Sequence, residues 1–301
     1  MSNSGKATLA AVASSLIFGF SFLAAKLALG RAEPSVMLSV RFLTACLLMT
    51  LLLLTGWQKV SFRGKPVGRL LLMGFIQPVI YFICETNGIA LTTSSFSGVM
   101  IGLIPVAGVI IGVLFLKERC TALQALFTAG SVVGVALTTT GGFGSFSLPG
   151  FLYLLGAVLA AATFTAISRS LSGVFSAFER TYAMTIMGAA VFTANALFQT
   201  RADFSVWAQP LSQPGFWGAI LYLAGLSSVC AFLLFNYAVN HLSAGHASVM
   251  SNVTTVVSVL AGIFIMGDSF TPLQLAGIAL IVLSVLGVSW QNGKAAAAES
   301  R

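Results

Sequence analysis

Long apolar runs fill the chain, and short polar breaks separate them almost to its end. A helix needs roughly 20 residues to cross the hydrocarbon core of a bilayer. The runs therefore predict ten transmembrane helices, at residues 8–28, 35–56, 69–90, 97–116, 122–140, 150–168, 181–199, 215–237, 246–266 and 272–290. The breaks carry turn formers: Arg31-Ala32-Glu33-Pro34, Arg63-Gly64-Lys65-Pro66, Gly141-Gly142-Phe143-Gly144, Leu148-Pro149-Gly150 and Gln209-Pro210. The expected architecture is an all-α polytopic membrane protein, with a small polar tail at 292–301 expected to be disordered.

Composition agrees: 57% of the 301 residues are hydrophobic and 7% are charged, whereas soluble domains carry about 25% charged residues. The first run follows Lys6 as a signal peptide would, but nine further runs make it the first span. A net charge of +8 could point to nucleic acid, yet the basic residues are scattered over short loops, so no nucleic-acid partner is expected. Lys and Arg are retained on the cytoplasmic side. With the N-terminus inside, 11 of the 15 fall on inner loops and 4 (Lys26, Arg31, Arg41, Arg201) on the outer side. Both termini are thus expected in the cytoplasm, with the chain in the cytoplasmic membrane. The four cysteines form no CxxC or Cys/His metal spacing, and no disulfide, metal or cofactor is expected.

A repeat decides the organisation. Val99-Met100 recurs as Val249-Met250, and the same offset of 150 carries Glu118 onto Asp268, Thr121 onto Thr271, Leu123 onto Leu273 and Gln124 onto Gln274. The echoed turns follow spans 4 and 9, so each copy holds five spans and the second copy is inverted. The halves are 1–145 and 146–291. Inverted repeats let a midplane site open to either side of a membrane, as in secondary transporters.

These residues resemble a known group. The five-plus-five plan, Glu118 before Thr121-x-x-Gln124, the stretch from Phe18-Gly19 to Lys26 in span 1, and Arg41-Phe42 opening span 2 look like the EamA-type family of the drug/metabolite transporter superfamily. Where that family usually has Trp-Gly this chain has Phe18-Gly19, and Ala162-Thr163-Phe164 stands where a Trp is usual in span 6. The resemblance implies a central cavity between the halves, lined by spans 1, 3, 4, 6, 8 and 9, and often used to export amino acids or related metabolites.

Glu85 is the one acid well inside a predicted span, where a carboxyl group is costly and faces a cavity or a partner. On an unbroken helix Gln77, Tyr81 and Glu85 form one polar stripe. Glu85 is a candidate to bind a substrate amino group or to take up a coupling proton; the structural alternative is a pair with Lys26 or Arg41. Those two cations are candidates for gating, or they snorkel from the span ends to the interface. Asn87, Asn236 and Asn252 need partners in hydrocarbon; Asn236 and Asn252 would also line the cavity. Phe18, Tyr81 and Phe164 are expected in its wall. Glu118 and Asp268 are expected to cap helix ends. His241 and His246 are read as interfacial. The glycine pairs 98/102, 108/112 and 130/134 are read as packing motifs, and Pro78 and Pro105 as kinks.

The repeat therefore predicts a secondary active transporter of a small metabolite, and the resemblance implies an amino acid exporter as the first reading. Its variant is a carrier of cationic or quaternary-ammonium compounds using Glu85 and aromatic rings. The competing class, a membrane enzyme, would need a nucleophile, base or metal at one depth, and no such constellation is present. ATP-driven transport is disfavoured without a Walker motif. Monomer and homodimer both stay open.

Overall fold

The computed structural model describes residues 3–299, except Trp57, Lys59, residues 116–120, residues 141–146 and Ser243. The expectations for Lys59, Lys117, Glu118, Arg119, Cys120, the Gly141–Gly144 break and Arg301 lie outside the described residues. So do those for the side chains of Gly112, His246, Val249 and Met250. Every expected apolar run has its helix: α1 Asn3–Leu29, α2 Pro34–Leu54, α3 Val67–Leu91, α4 Ser94–Ile101 with Ile104–Phe115, and α5 Ala122–Thr140. After these come α6 Leu148–Ser170, α7 Ala177–Gln199, α8 Pro214–His241, α9 Ala244–Met266 and α10 Pro272–Glu299. A short helix, Ser205–Leu211, precedes α8. Among the described residues seven helices are long and apolar enough to cross a bilayer, and the shorter apolar stretches Ala122–Thr138, Asn252–Met266 and Pro272–Val288 accompany them.

The tail departs from expectation, because α10 runs on to Glu299. Lys294, the alanines 295–298 and Glu299 are all strong helix formers, so the helix continues past the apolar run. Both intramembrane prolines coincide with breaks. A proline ring clashes with the preceding turn and disfavours helical geometry in the residue before it. Gln77, before Pro78, accordingly has φ −137° and ψ 114°, and α4 is interrupted at Gly102-Leu103, just ahead of Pro105. The break corrects the expected polar stripe: Tyr81 and Glu85 share a helical face, but Gln77 lies across the interruption.

Packing follows a reciprocal scheme. α2 packs on α7, α5 on α10 and α4 on α9, while α1 packs on α8 and α9 and α6 on α3 and α4. Small residues set the close approaches: a Cβ on Gly98 would collide with the Ser258 side chain of α9, and one on Gly134 would come within 2.9 Å of the Gly277 carbonyl of α10. Gly108 has nothing near its missing Cβ, so of the expected glycine motifs that position carries no packing role.

The repeated Thr-x-x-Gln has one local meaning in both copies. Thr121 Oγ1 accepts from the Gln124 amide at 3.1 Å while the Thr121 amide donates to Gln124 Oε1 at 2.9 Å. Thr271 and Gln274 repeat the exchange at 3.3 and 2.9 Å. Each is a capping box that satisfies two otherwise orphaned amides at a helix start.

Candidate functional site

The charged layer begins with Arg41, two turns into α2, and Glu85, in the last two turns of α3. Arg41 is 2% exposed and Glu85 5%, so neither reaches the interface. The snorkelling alternative for Arg41 is therefore corrected: its guanidinium is buried between helices. Arg41 donates from Nε to Ser228 Oγ at 2.9 Å and from Nη2 to Ser227 Oγ at 3.2 Å. Its guanidinium carbon stands 4.3 Å from the centre of the Phe82 ring, within cation–π range. Glu85 accepts from the Tyr81 hydroxyl at 2.8 Å. Phe82 and Tyr81 link the two residues, their rings 4.9 Å apart between centres, and Arg41 and Glu85 form no direct ion pair; among the described residues that contact belongs to Lys65 and Glu179, at 2.7 Å.

An aromatic cluster fills the space beside this layer. Phe82 meets Tyr81 at 4.9 Å, Phe42 at 5.1 Å and Phe232 at 6.3 Å between ring centres. Phe232 in turn meets Phe18 at 5.1 Å and Phe164 at 6.4 Å. Edge-on contacts at such distances suit aromatic quadrupoles. The contacts bring Phe18, Tyr81 and Phe164 into one connected cluster contributed by α1, α3 and α6, with Phe82 and Phe232 as its links. Phe82 and Phe232 stand 150 apart, the offset of the sequence repeat, so the two copies touch through the same residue.

Asn236 belongs to a second layer, around Arg180. Its Nδ2 donates to Thr181 Oγ1 at 3.0 Å, its Oδ1 accepts from Ser168 Oγ at 3.0 Å, and its carbonyl accepts from Arg180 at 3.0 Å. Arg180 also donates to the carbonyl and hydroxyl of Ser168, each at 2.7 Å, and to Asn240 Oδ1. Arg180 is fully buried, which corrects its reading as a loop cation. Arg41 and Arg180 leave the loop count from opposite sides, so its balance keeps its sign. One residue before, Glu179 accepts from the Ser61 amide and from Lys65 Nζ, at 2.9 and 2.7 Å, and closes a capping box with Ser176.

The remaining candidates fall outside both layers. Lys26 Nζ donates to the Ile89, Ala90 and Thr92 carbonyls, so it caps the end of α3 rather than pairing with Glu33 or Glu85. Asp268 Oδ2 accepts from the Ser95 amide at 3.2 Å, at the start of α4, in the capping role expected of it. Asn252 is buried in α9. Asn87 donates to the Ile83 carbonyl within its own helix at 2.8 Å. His241 Nδ1 lies 2.9 Å from the Tyr237 carbonyl at the exposed end of α8. No cluster of three or more His, Cys, Asp or Glu suited to a metal occurs among the described residues.

Comparison with known proteins gives a consistent picture. The model of the EamA-like transporter family matches residues 5–140 and 148–290. An uncharacterized transporter of Bacillus subtilis, YcxC, is 35% identical over 286 residues, covering 93% of this chain and 92% of that protein. A second from the same organism, YetK, is 27% identical over 88% of this chain and 81% of its own length. A crystal structure with 18% sequence identity superposes with a TM-score of 0.64, covering 94% of this chain and 98% of the other, and shares the fold.

Proposed function

Because the chain belongs to the EamA-like transporter family, we propose that it is a secondary active transporter moving a small metabolite of the amino acid class by alternating access, in the direction of export. The family and the transporter names of its relatives point away from an enzyme, and the apolar helices make it an integral membrane protein. In the proposed arrangement ten helices form two inverted halves, 1–145 and 146–291, in the cytoplasmic membrane with both termini inside. The reciprocal packing of α1 on α8 and α9, and of α6 on α3 and α4, is what an exchange of the two halves requires.

One observation carries the substrate reading. Arg41 and Glu85, a guanidinium and a carboxyl group, lie in one buried layer without a direct pair, linked through the Phe82 ring 4.3 Å from Arg41, the Tyr81 ring 4.9 Å from Phe82 and the Tyr81 hydroxyl 2.8 Å from Glu85. Opposite groups separated in this way match the two ends of a zwitterion, and the adjoining Phe82, Phe232, Phe18 and Phe164 suit an apolar or aromatic side chain. The fixed cation of Arg41 opposes a purely cationic or quaternary-ammonium substrate, which favours the amino acid reading over its variant. The rings are in contact, so a substrate reaches the charges only when they part, as alternating access demands. Glu85 is the group placed to take up a coupling proton.

The test is counterflow in proteoliposomes loaded with unlabelled amino acids. Saturable accumulation of a labelled neutral amino acid, reduced in Glu85→Gln, is the expected outcome. Accumulation only of quaternary amines would replace the reading with the cationic variant, and chemically altered solute would point to an enzyme.

A further inference from the structure

We propose, resting on the transporter reading, that Ser227 and Ser228 occupy the place of the substrate carboxylate on Arg41. An arriving carboxylate displaces them and releases α8 from α2. Nε and Nη2 lie along one edge of the guanidinium, the edge that grips both oxygens of a carboxylate side-on. Here that edge holds two hydroxyl oxygens instead, at 2.9 and 3.2 Å. Two neutral acceptors from consecutive residues therefore imitate one anionic ligand.

Three features make the exchange physically reasonable. The Arg41–serine bonds carry charge on the donor alone, whereas a carboxylate brings the opposite charge and both acceptors in one bidentate group, so the anion outcompetes the hydroxyls. A serine released within a helix turns its hydroxyl to a carbonyl of the preceding turn, which leaves no orphaned donor. Arg41 itself stays anchored over Phe82, so the guanidinium keeps its position while its acceptors change. Both serines lie in the π-helical segment Tyr222–Ala231 of α8, the kind of widened turn that recurs at functional sites.

The consequence is a coupling device. In this structure the Arg41–Ser227/Ser228 contact ties a helix of the first half to a helix of the second. A ligand can shift a conformational equilibrium only through different contacts in the two states. Taking over these donors is such a difference: an occupied site has lost one tie between the halves.

The experiment is thermal stabilisation of the purified full chain by L-phenylalanine, by 3-phenylpropionate, which lacks the amine, and by 2-phenylethylamine, which lacks the carboxylate. Wild-type protein should be stabilised by both carboxylates and not by the amine, and Arg41→Gln by none of the three. The double variant Ser227→Ala/Ser228→Ala should melt lower without ligand yet bind the carboxylates about three- to tenfold tighter, because no hydroxyl has to be displaced. A merely structural serine pair would lower the melting point without tightening binding. If the double variant does not fold, Ser228→Ala alone should show the same direction with a smaller change. Stabilisation by the amine alone, unchanged or weaker carboxylate binding in the serine variants, or no carboxylate binding at all overturns the proposal. Counterflow separates the two claims. Flux that persists without carboxylate dependence sinks the displacement alone, whereas absence of flux for every metabolite sinks the transporter reading.

Discussion

Arg41 and Arg180 are both buried and both donate to α8, yet their surroundings differ in kind. Arg180 has its two terminal nitrogens taken by the Ser168 carbonyl and hydroxyl, the Asn236 carbonyl and the Asn240 amide oxygen, while its Nε has no partner among the described residues. These acceptors are neutral and come from α6 and α8. Arg41 has two serine hydroxyls and an aromatic ring beneath it, whose neighbour Tyr81 donates to the Glu85 carboxyl group. The first environment fastens α7 to α6 and α8. The second joins α2 to α8 through the acceptors proposed to give way to a ligand. A buried cation is thus a staple or a receptor according to whether its acceptors are tied to backbone and amide groups or to displaceable hydroxyls.

The sharpest way to break this contrast is to truncate each arginine and compare flux with stability. Arg41→Gln should lower the flux of an amino acid substrate by about a hundredfold, since losing one side of a buried charged contact costs about 2–5 kcal/mol. Its melting midpoint should fall far less than that of Arg180→Gln. Arg180→Gln should cost about 3 kcal/mol of stability, because it strands several buried acceptors at once. The flux per folded molecule should drop less than tenfold. Were Arg180→Gln to abolish flux at unchanged stability, the layer around Arg180 would be a substrate station and the contrast would fail.

A smaller effect sharpens the surroundings of Arg180. Lys65 and Glu179 join the loop after α2 to the first turn of α7. Lys65→Met should cost about 1 kcal/mol, because Lys65 is partly solvated and such pairs contribute little. The difference from wild type should shrink as salt is raised. A salt-independent loss would mean that the lysine acts through its cation over the Phe175 ring, 5.1 Å away, and not through Glu179.

Much of this was legible in the sequence, and the reasons are specific. The helices follow from apolar length, and Glu85 stands out as an isolated acid in an apolar run. The aromatic links were also within reach: Phe82 and Phe232 obey the same offset as Thr121 and Thr271. Burial of Arg180 was not legible, because its acceptors lie 12, 56 and 60 residues away and its neighbours read as a loop edge. Ser227 and Ser228 are hidden for a similar reason. Within an apolar stretch a serine reads as filler until a cation from another helix is placed against it.

The smallest expected effect tests the repeat itself. Thr121 and Thr271 each cap a helix by the same two hydrogen bonds, so Thr121→Ala and Thr271→Ala should cost nearly equal amounts, about 1 kcal/mol each. The two sites begin the antiparallel helices α5 and α10, in which Gly134 meets Gly277 and Phe127 meets Gly287, so they lie at opposite ends of that pair and the double variant should lose the sum. In each single variant Gln124 or Gln274 keeps its bond to the backbone amide of the altered residue, which caps the loss well below that of an uncapped helix start. Unequal losses would mean that one turn has acquired a second role beyond capping. Asp268, bonded to Ser95 beside the Thr271 turn, marks the second copy as the place to look, since a shift of that turn would also disturb the start of α4.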